Sequence, residues 1–345
     1  MRQVEAKRLW AVSLGLLLGM AVSVPAMAGT VVDAINSRGE IRCGVSQGTP
    51  GFSAPDSAGN WKGLDVEICE ALAVAMFNDK SKVDWISLQF SQVFPALNSG
   101  DIDLINRSIL KTVGRDVDMG LEYPGVTYFS GQTFMVPKAL NVTEPQQLNG
   151  ATICVLGGTG TQATLNDYFR EKGFTYTPAV FEDQDLMYQA YEQGRCDAVT
   201  TEPPILASRR SVFQAPDDHL IMEELISKEI VGPIVKHGDD EWRDLVKIVL
   251  WGLVALEEEG ITQANAAKLR KTATKPEVRR MLGLEGELGK GVGLRTGWLA
   301  DVAEKIGNYG EVYERNVGPN TPLGLKRGLN ATWKDGGLMI APPFR

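Results

Sequence analysis

Three short stretches carry residue types suited to chemistry, and each follows an apolar run. The first is residues 94–115, FPALNSGDIDLINRSILKTVGR. Its apolar positions Ile102, Leu104 and Ile105 read as a buried strand, and beyond them come Asn106, Arg107, Ser108, Lys111, Thr112 and Arg115. Hydroxyls, open backbone and a cation past the carboxyl end of a strand suit an anion. Arg115 is the chief candidate, because a planar guanidinium matches a carboxylate bidentately. The second stretch is Gly158-Thr-Gly160-Thr-Gln-Ala163, between a predicted strand and a helix opening at Thr161. Free N–H groups at a helix start take a carboxylate as readily as a phosphate. The third is Thr200-Thr201-Glu202-Pro203-Pro204, where Glu202 at a strand end could hold an ammonium. A cation, N–H groups and an anion form the set that a zwitterion such as a free α-amino acid needs. The competing readings are a solvated surface arginine, a structural tight turn, and a glutamate that merely precedes a proline turn.

Other chemistries fare worse. The glycine stretch fits G-x-G-x-x-A, and Glu182 follows Gly158 by 24 residues, a fair imitation of a dinucleotide fingerprint. An export signal and the cysteines place the chain outside the nicotinamide pool, and no cofactor is expected. With only His219 and His237 and no G-x-S-x-G, a Ser-His-Asp hydrolase lacks support. The absence of CxxC and the two histidines disfavour a metal site. Glu257, Glu258, Glu259, Asp239 and Asp240 read as a solvated helix face and a helix start.

Export is read from residues 1–28. Arg2, Lys7 and Arg8 precede an apolar run over 9–24, and Ala26-Met27-Ala28 follows, the pattern of a cleaved signal peptide. The run is shorter than the ~20 residues of a bilayer span and contains Gly15 and Gly19. Cleavage after Ala28 is expected. The full chain has a formal net charge of −8, and the leader holds three cations against Glu5, so the mature chain stands at −10. That balance argues against nucleic acid and anionic membranes. The apolar stretch 248–256 is too short to span a bilayer. Cys43, Cys69, Cys154 and Cys196 in an exported chain suggest two disulfides. Three pairings are possible. Cys43–Cys69 with Cys154–Cys196 is favoured because each bridge then stays inside one candidate domain.

The elements that must position these groups alternate. Strands are predicted over 41–45, 83–88 and 102–105, with helices over 31–37, 64–77 and up to 98. The second helix shows Leu64, Ile68, Leu72 and Met76 on one face. A second series has strands over 151–156, 175–181 and 196–200 and helices over 161–172 and 186–193. Alternation of this kind means mainly parallel sheets. Residues 128–137 and 227–235 are extended, helices follow over 240–258 and 261–271, and residues 307–345 read as irregular wrapping. The expected fold is α/β with two lobes, each a mainly parallel sheet flanked by helices, joined by two hinge strands. Lobe 1 is expected at 30–131 and 232–345, and lobe 2 at 132–231.

Several motifs in order resemble one family. Gly63-Leu-Asp-Val-Glu67 resembles a G-F-D-V-D helix start. Phe94-Pro-Ala-Leu-Asn-Ser-Gly-Asp-Ile-Asp103 is similar to I-P-A-L-x-x-G-x-x-D, and Thr112-Val-Gly-Arg115 to T-x-x-R at the same distance. These belong to exported solute-binding proteins of ATP-driven amino-acid importers, and the resemblance runs from about Ile41 to Gly260. Gly307-Asn-Tyr-Gly-Glu311, Arg315-Asn-Val-Gly-Pro319 and the ending Gly336 to Arg345 resemble the general L-amino-acid subfamily, where the four cysteines also occur.

The resemblance implies a periplasmic, non-enzymatic, monomeric protein that delivers free L-amino acids to an inner-membrane ABC permease. It implies that Arg115 grips the α-carboxylate, helped by the main chain at Leu110 and the N–H of Thr161. Ser108 and Glu202 would hold the ammonium, and Phe90 would form an aromatic wall. Thr49 stands where many relatives carry a stacking aromatic, Glu202 where the subfamily usually has Asp, and Arg107–Lys111 where it has a Thr-rich run. Pro203-Pro204 replaces its usual Ser-Gly. An alternative on the same scaffold is a cyclohexadienyl dehydratase-like lyase acting on prephenate or arogenate, with Glu202 as general acid.

Overall fold

The computed structural model describes residues 30–345, so the signal-peptide expectation lies outside the described residues. The chain forms two lobes, each built on a sheet. In the first, Ile41–Val45 lies between Val83–Ser87 and Leu104–Ile105, all parallel. An antiparallel bridge from Ile105 to Ile234 extends it to Val235–Lys236, which pairs with Leu121–Glu122. In the second, Thr177–Phe181, Thr152–Leu156 and Ala198–Thr201 are parallel, and Thr133–Pro137 runs antiparallel between Ala198–Thr201 and His219–Ile221. Both sheets thus follow one strand order, with a fourth strand supplied by a crossover. The crossovers themselves pair: Tyr128–Ser130 lies antiparallel to Glu229–Val231.

The core of the first lobe centres on the helix Leu64–Phe77. The apolar stripe expected on one face proves too narrow, since Val66, Cys69, Ala71, Ala73, Val74 and Ala75 are buried as well, while Met76 is only half-buried. The helix is enclosed by the sheet and by the helices Asp240–Glu258 and Trp298–Lys305, and a helix buried all round needs apolar residues all round. The disulfide Cys43–Cys69 ties it to the central strand, and Cys154–Cys196 lies within the second lobe.

Three local expectations need correction. The helix expected over 261–271 begins only at Ala266. Residues 113–117, where no element is predicted, form a short helix that Thr112 caps by accepting from the Arg115 N–H at 3.2 Å. The tail is not uniformly irregular, because Tyr309–Asn316 is helical. Its start is a capping box: Asn308 accepts from Glu311 N–H and Glu311 from Asn308 N–H. Counting Gly, Pro and Asn over the tail hid that signal.

The tail packs on the first crossover. The Tyr309 hydroxyl donates to the Thr127 carbonyl at 2.7 Å, and Tyr313 stacks on Tyr128 with centroids 6.0 Å apart. The Asn330 amide meets both main-chain groups of Phe129, at 2.6 and 3.1 Å. Arg327 holds this assembly to the first lobe by a bidentate pair with Glu257 at 2.9 and 3.0 Å.

Candidate ligand-binding cleft

Between the lobes lies a cleft of about 690 Å³, counted with its open mouth. The seven residues singled out from the sequence, Thr49, Phe90, Ser108, Leu110, Arg115, Thr161 and Glu202, all line it. The lobes touch across it. Ser208 Oγ donates to the Pro50 carbonyl at 2.6 Å, and Gly160 sits so close to Leu110 that a Cβ there would lie 2.9 Å from Leu110 Cδ2. The chain is therefore closed over the cleft.

On the first lobe, Arg115 is buried between two aromatic faces, 5.6 Å from the Phe90 centroid and 5.5 Å from that of Phe94. The capped turn at Thr112 aims it, and its Nη1 donates to the Leu110 carbonyl at 2.6 Å. That carbonyl also accepts from the Tyr123 hydroxyl at 3.1 Å, and burial pushes this phenol up to about 12. The Leu110 main chain thus orients the guanidinium. Arg115 has no carboxylate partner among the described residues, so a buried positive charge faces the cleft with bonding capacity to spare.

Ser108 has φ of +55°, a left-handed conformation uncommon outside glycine and asparagine. Its hydroxyl donates to Asp65 Oδ2 at 3.0 Å. Asp65 belongs to the first motif and stands in the first turn of Leu64–Phe77. Burial raises its carboxyl to about 7, against the lowering effect of the Ser108 hydrogen bond and of Arg107. Asn106 Nδ2 donates to the Asp65 carbonyl at 2.6 Å, so the loop bearing Ser108 is tied twice to one helix start. Asp103, the second motif's acid, has a structural role: it accepts from the Arg42 N–H at 2.7 Å and pairs with Arg38.

Thr49 turns into its own loop, where its hydroxyl accepts from Ser46 Oγ at 3.0 Å. The hydroxyls of Ser46, Thr49 and Ser53 cluster at this corner, with a hydroxyl rather than an aromatic ring at position 49.

On the second lobe, Thr159 caps the helix Gly160–Lys172 and accepts from Gln162 N–H. The first N–H groups of such a helix, Thr161 among them, have no intrahelical acceptor. Glu202 follows the strand Ala198–Thr201 and precedes the helix Pro203–Arg210, and its carboxylate accepts from the Thr201 hydroxyl.

Two residues of this architecture escaped the sequence reading. Gln132, fully buried after the first crossover, donates to the Thr161 carbonyl at 3.1 Å and to Thr200 Oγ1 at 2.9 Å. Glu229, on the return crossover, is buried. Burial first, and the Glu202 charge second, raise its carboxyl far above the usual range. Ser227 Oγ donates to it at 3.0 Å. A polar residue inside an extended apolar run was the available signal for both.

Comparison with known proteins agrees with this geometry. Residues 41–268 match the family of bacterial extracellular solute-binding proteins, family 3. The chain is 44% identical to the general L-amino acid-binding periplasmic protein AapJ of Rhizobium johnstonii, over 94% of this chain and 96% of that one. It is 43% identical, over the same shares, to the glutamate/glutamine/aspartate/asparagine-binding protein BztA of Rhodobacter capsulatus. Among solved structures, an ABC transporter periplasmic binding protein from Brucella ovis with glutathione bound superposes with a TM-score of 0.90. It is 40% identical and covers 92% of this chain and 100% of its own. The fold, the two-walled cleft and these likenesses lead to one conclusion: the chain belongs to family 3 of the bacterial extracellular solute-binding proteins.

Proposed function

We propose that this protein captures free L-amino acids in the interlobe cleft and delivers them to an ABC transporter permease. The observation that carries the reading is a buried, unpaired guanidinium on one wall and a carboxylate on the other. Arg115 takes the α-carboxylate together with the Thr161 N–H, Leu110 orients it, and Phe90 walls it. Ser108 and Glu202 take the ammonium. Thr49 closes the side-chain corner. Lobe 1, 30–131 with 232–345, supplies five of these partners and lobe 2, 132–231, supplies Thr161 and Glu202, so only the closed form satisfies both ligand charges, as in hinge closure generally. The AapJ relative and the Brucella ovis neighbour are periplasmic by name, and a leader cleaved after Ala28 with a monomeric mature chain completes the reading.

A thermal-shift screen of the twenty amino acids should raise the melting temperature with several of them, because a ligand that binds only the folded form stabilises it. Calorimetry should then show Arg115→Ala losing ~2–5 kcal/mol of binding, as truncated buried charge pairs do. Full affinity in that variant would refute the assignment. Turnover of prephenate or arogenate by the purified protein would support the lyase instead.

A further inference from the structure

A second guanidinium lines the same cleft and has no role in gripping an α-carboxylate or an ammonium. Arg107 Nη1 donates to the Leu88 carbonyl at 2.6 Å, and its guanidinium lies 6.0 Å from the Phe90 centroid, against the ring that also flanks Arg115. It makes no ion pair among the described residues. Its remaining N–H groups are therefore left for water or ligand.

The surroundings make that position more costly for a cation. Burial, and to a lesser degree Arg209 of the opposite lobe, lower Arg107 to about 10 against the opposing charge of Asp65. Asp65 itself is raised to about 7, so at neutral pH it is only partly ionised and offsets Arg107 incompletely. Arg209 is already engaged, paired with Asp185 at 2.7 Å and stacked 5.3 Å from the Tyr188 ring, and Tyr188 lines the cleft. Like charges from the two lobes thus act on one another where Arg107 lines the cleft. A negative group there would relieve both the desolvation of Arg107 and its repulsion by Arg209.

We propose that Arg107 is a specificity-determining residue that binds a second carboxylate, so that the preferred ligands are acidic α-amino acids. This rests on the reading of the cleft as an amino-acid site, with Arg115 and Glu202 fixing the backbone end of the ligand. The planar fork of Arg107 then selects the charge of the side chain, since a carboxylate offers it two acceptor oxygens and a countercharge, whereas a neutral amide offers one acceptor and no charge.

The test is calorimetric titration of residues 29–345, freed of carried ligand by exhaustive dialysis, with L-glutamate and with its neutral isostere L-glutamine. The unaltered protein should bind glutamate at least ~10-fold more tightly. Arg107→Met, which keeps the aliphatic stem, should weaken glutamate by ~30-fold or more while changing glutamine less than ~3-fold. Equal affinity for the two ligands in the unaltered protein overturns the proposal and needs no variant to fold. Equal weakening of both in Arg107→Met overturns it too, since the residue would then support the cleft generally. Binding of other amino acids but not acidic ones overturns this inference alone. Binding of no amino acid at all overturns the reading beneath it as well.

Discussion

Asp65 shows how one buried carboxyl places a ligand-facing residue and makes stability depend on pH. Its folded value of about 7 lies above an ordinary carboxyl of 3.8, so the native state holds a proton that the unfolded chain has released. Between those two values stability falls as pH rises, and the contribution present below pH 4 is lost by about pH 7. Asp65→Asn keeps an acceptor for the Ser108 hydroxyl and cannot ionise. Its melting temperature relative to the unaltered protein should therefore climb as pH goes from 4 to 8, measured by calorimetric scans in matched buffers. Parallel curves for the two proteins would show that Asp65 does not titrate in this range. Arg115 is a buried cation with no carboxylate partner among the described residues. Its stacking on Phe90 and Phe94 steadies a cation whose missing partner is best supplied by a ligand.

The crossovers work at the next scale. They must lie close enough to pair, and glycine permits that on both. A Cβ at Gly131 would stand 2.3 Å from the Ser227 carbonyl, and one at Gly232 would stand 2.1 Å from the Gly125 carbonyl. Both obstacles are backbone, which cannot rotate away as a side chain can. Gly232→Ala should cost ~1–3 kcal/mol by overpacking and should also weaken ligand binding, because the lobes can no longer meet across the cleft in the same register. Chemical denaturation gives the first quantity and titration calorimetry the second. An alanine variant with unchanged midpoint and affinity would mean that the strands part without consequence. Gln132 belongs here too: one amide links the first crossover to the helix that opens at Gly160 and to Thr200. A hinge residue is thereby joined to both ligand-facing edges of the second lobe.

Across the whole molecule, the C-terminal tail acts on the hinge although it contributes nothing to the cleft lining. Asn330 completes both backbone groups of Phe129, while Arg327, set over the Tyr309 and Tyr313 rings at 5.2 and 5.0 Å, binds that assembly to Glu257. The first crossover is thus attached to the first lobe as far as Phe129. Asn330→Ala leaves two main-chain groups short of partners and should lower stability by ~1–3 kcal/mol. The Phe129 amide should exchange with solvent faster, which hydrogen exchange would detect. Unaltered protection at Phe129 would show that the contact carries no weight.

Much of this was legible in the chain. Alternating apolar runs are a local property, and they implied two β/α series, parallel sheets and the strand ends where Arg115, Ser108 and Glu202 stand. Helix 240–258 could be read to its last residue because its stripe, its Asp239 cap and its length agree. The tail helix was hidden by glycine and asparagine counts, though its capping box was local and could have been seen. The remaining features were not encoded locally. Phe129 and Asn330 are 201 residues apart, and Ser208 and Pro50 are 158 apart. The carboxyl of Glu229 comes under the Glu202 charge only when the return crossover pairs with the first. Whether a charge has a partner depends on folding distant segments together, so the lone state of Arg107 and Arg115 emerges only in three dimensions. Periodicity and residue type are written along the backbone, whereas burial and charge compensation are properties of the space between segments.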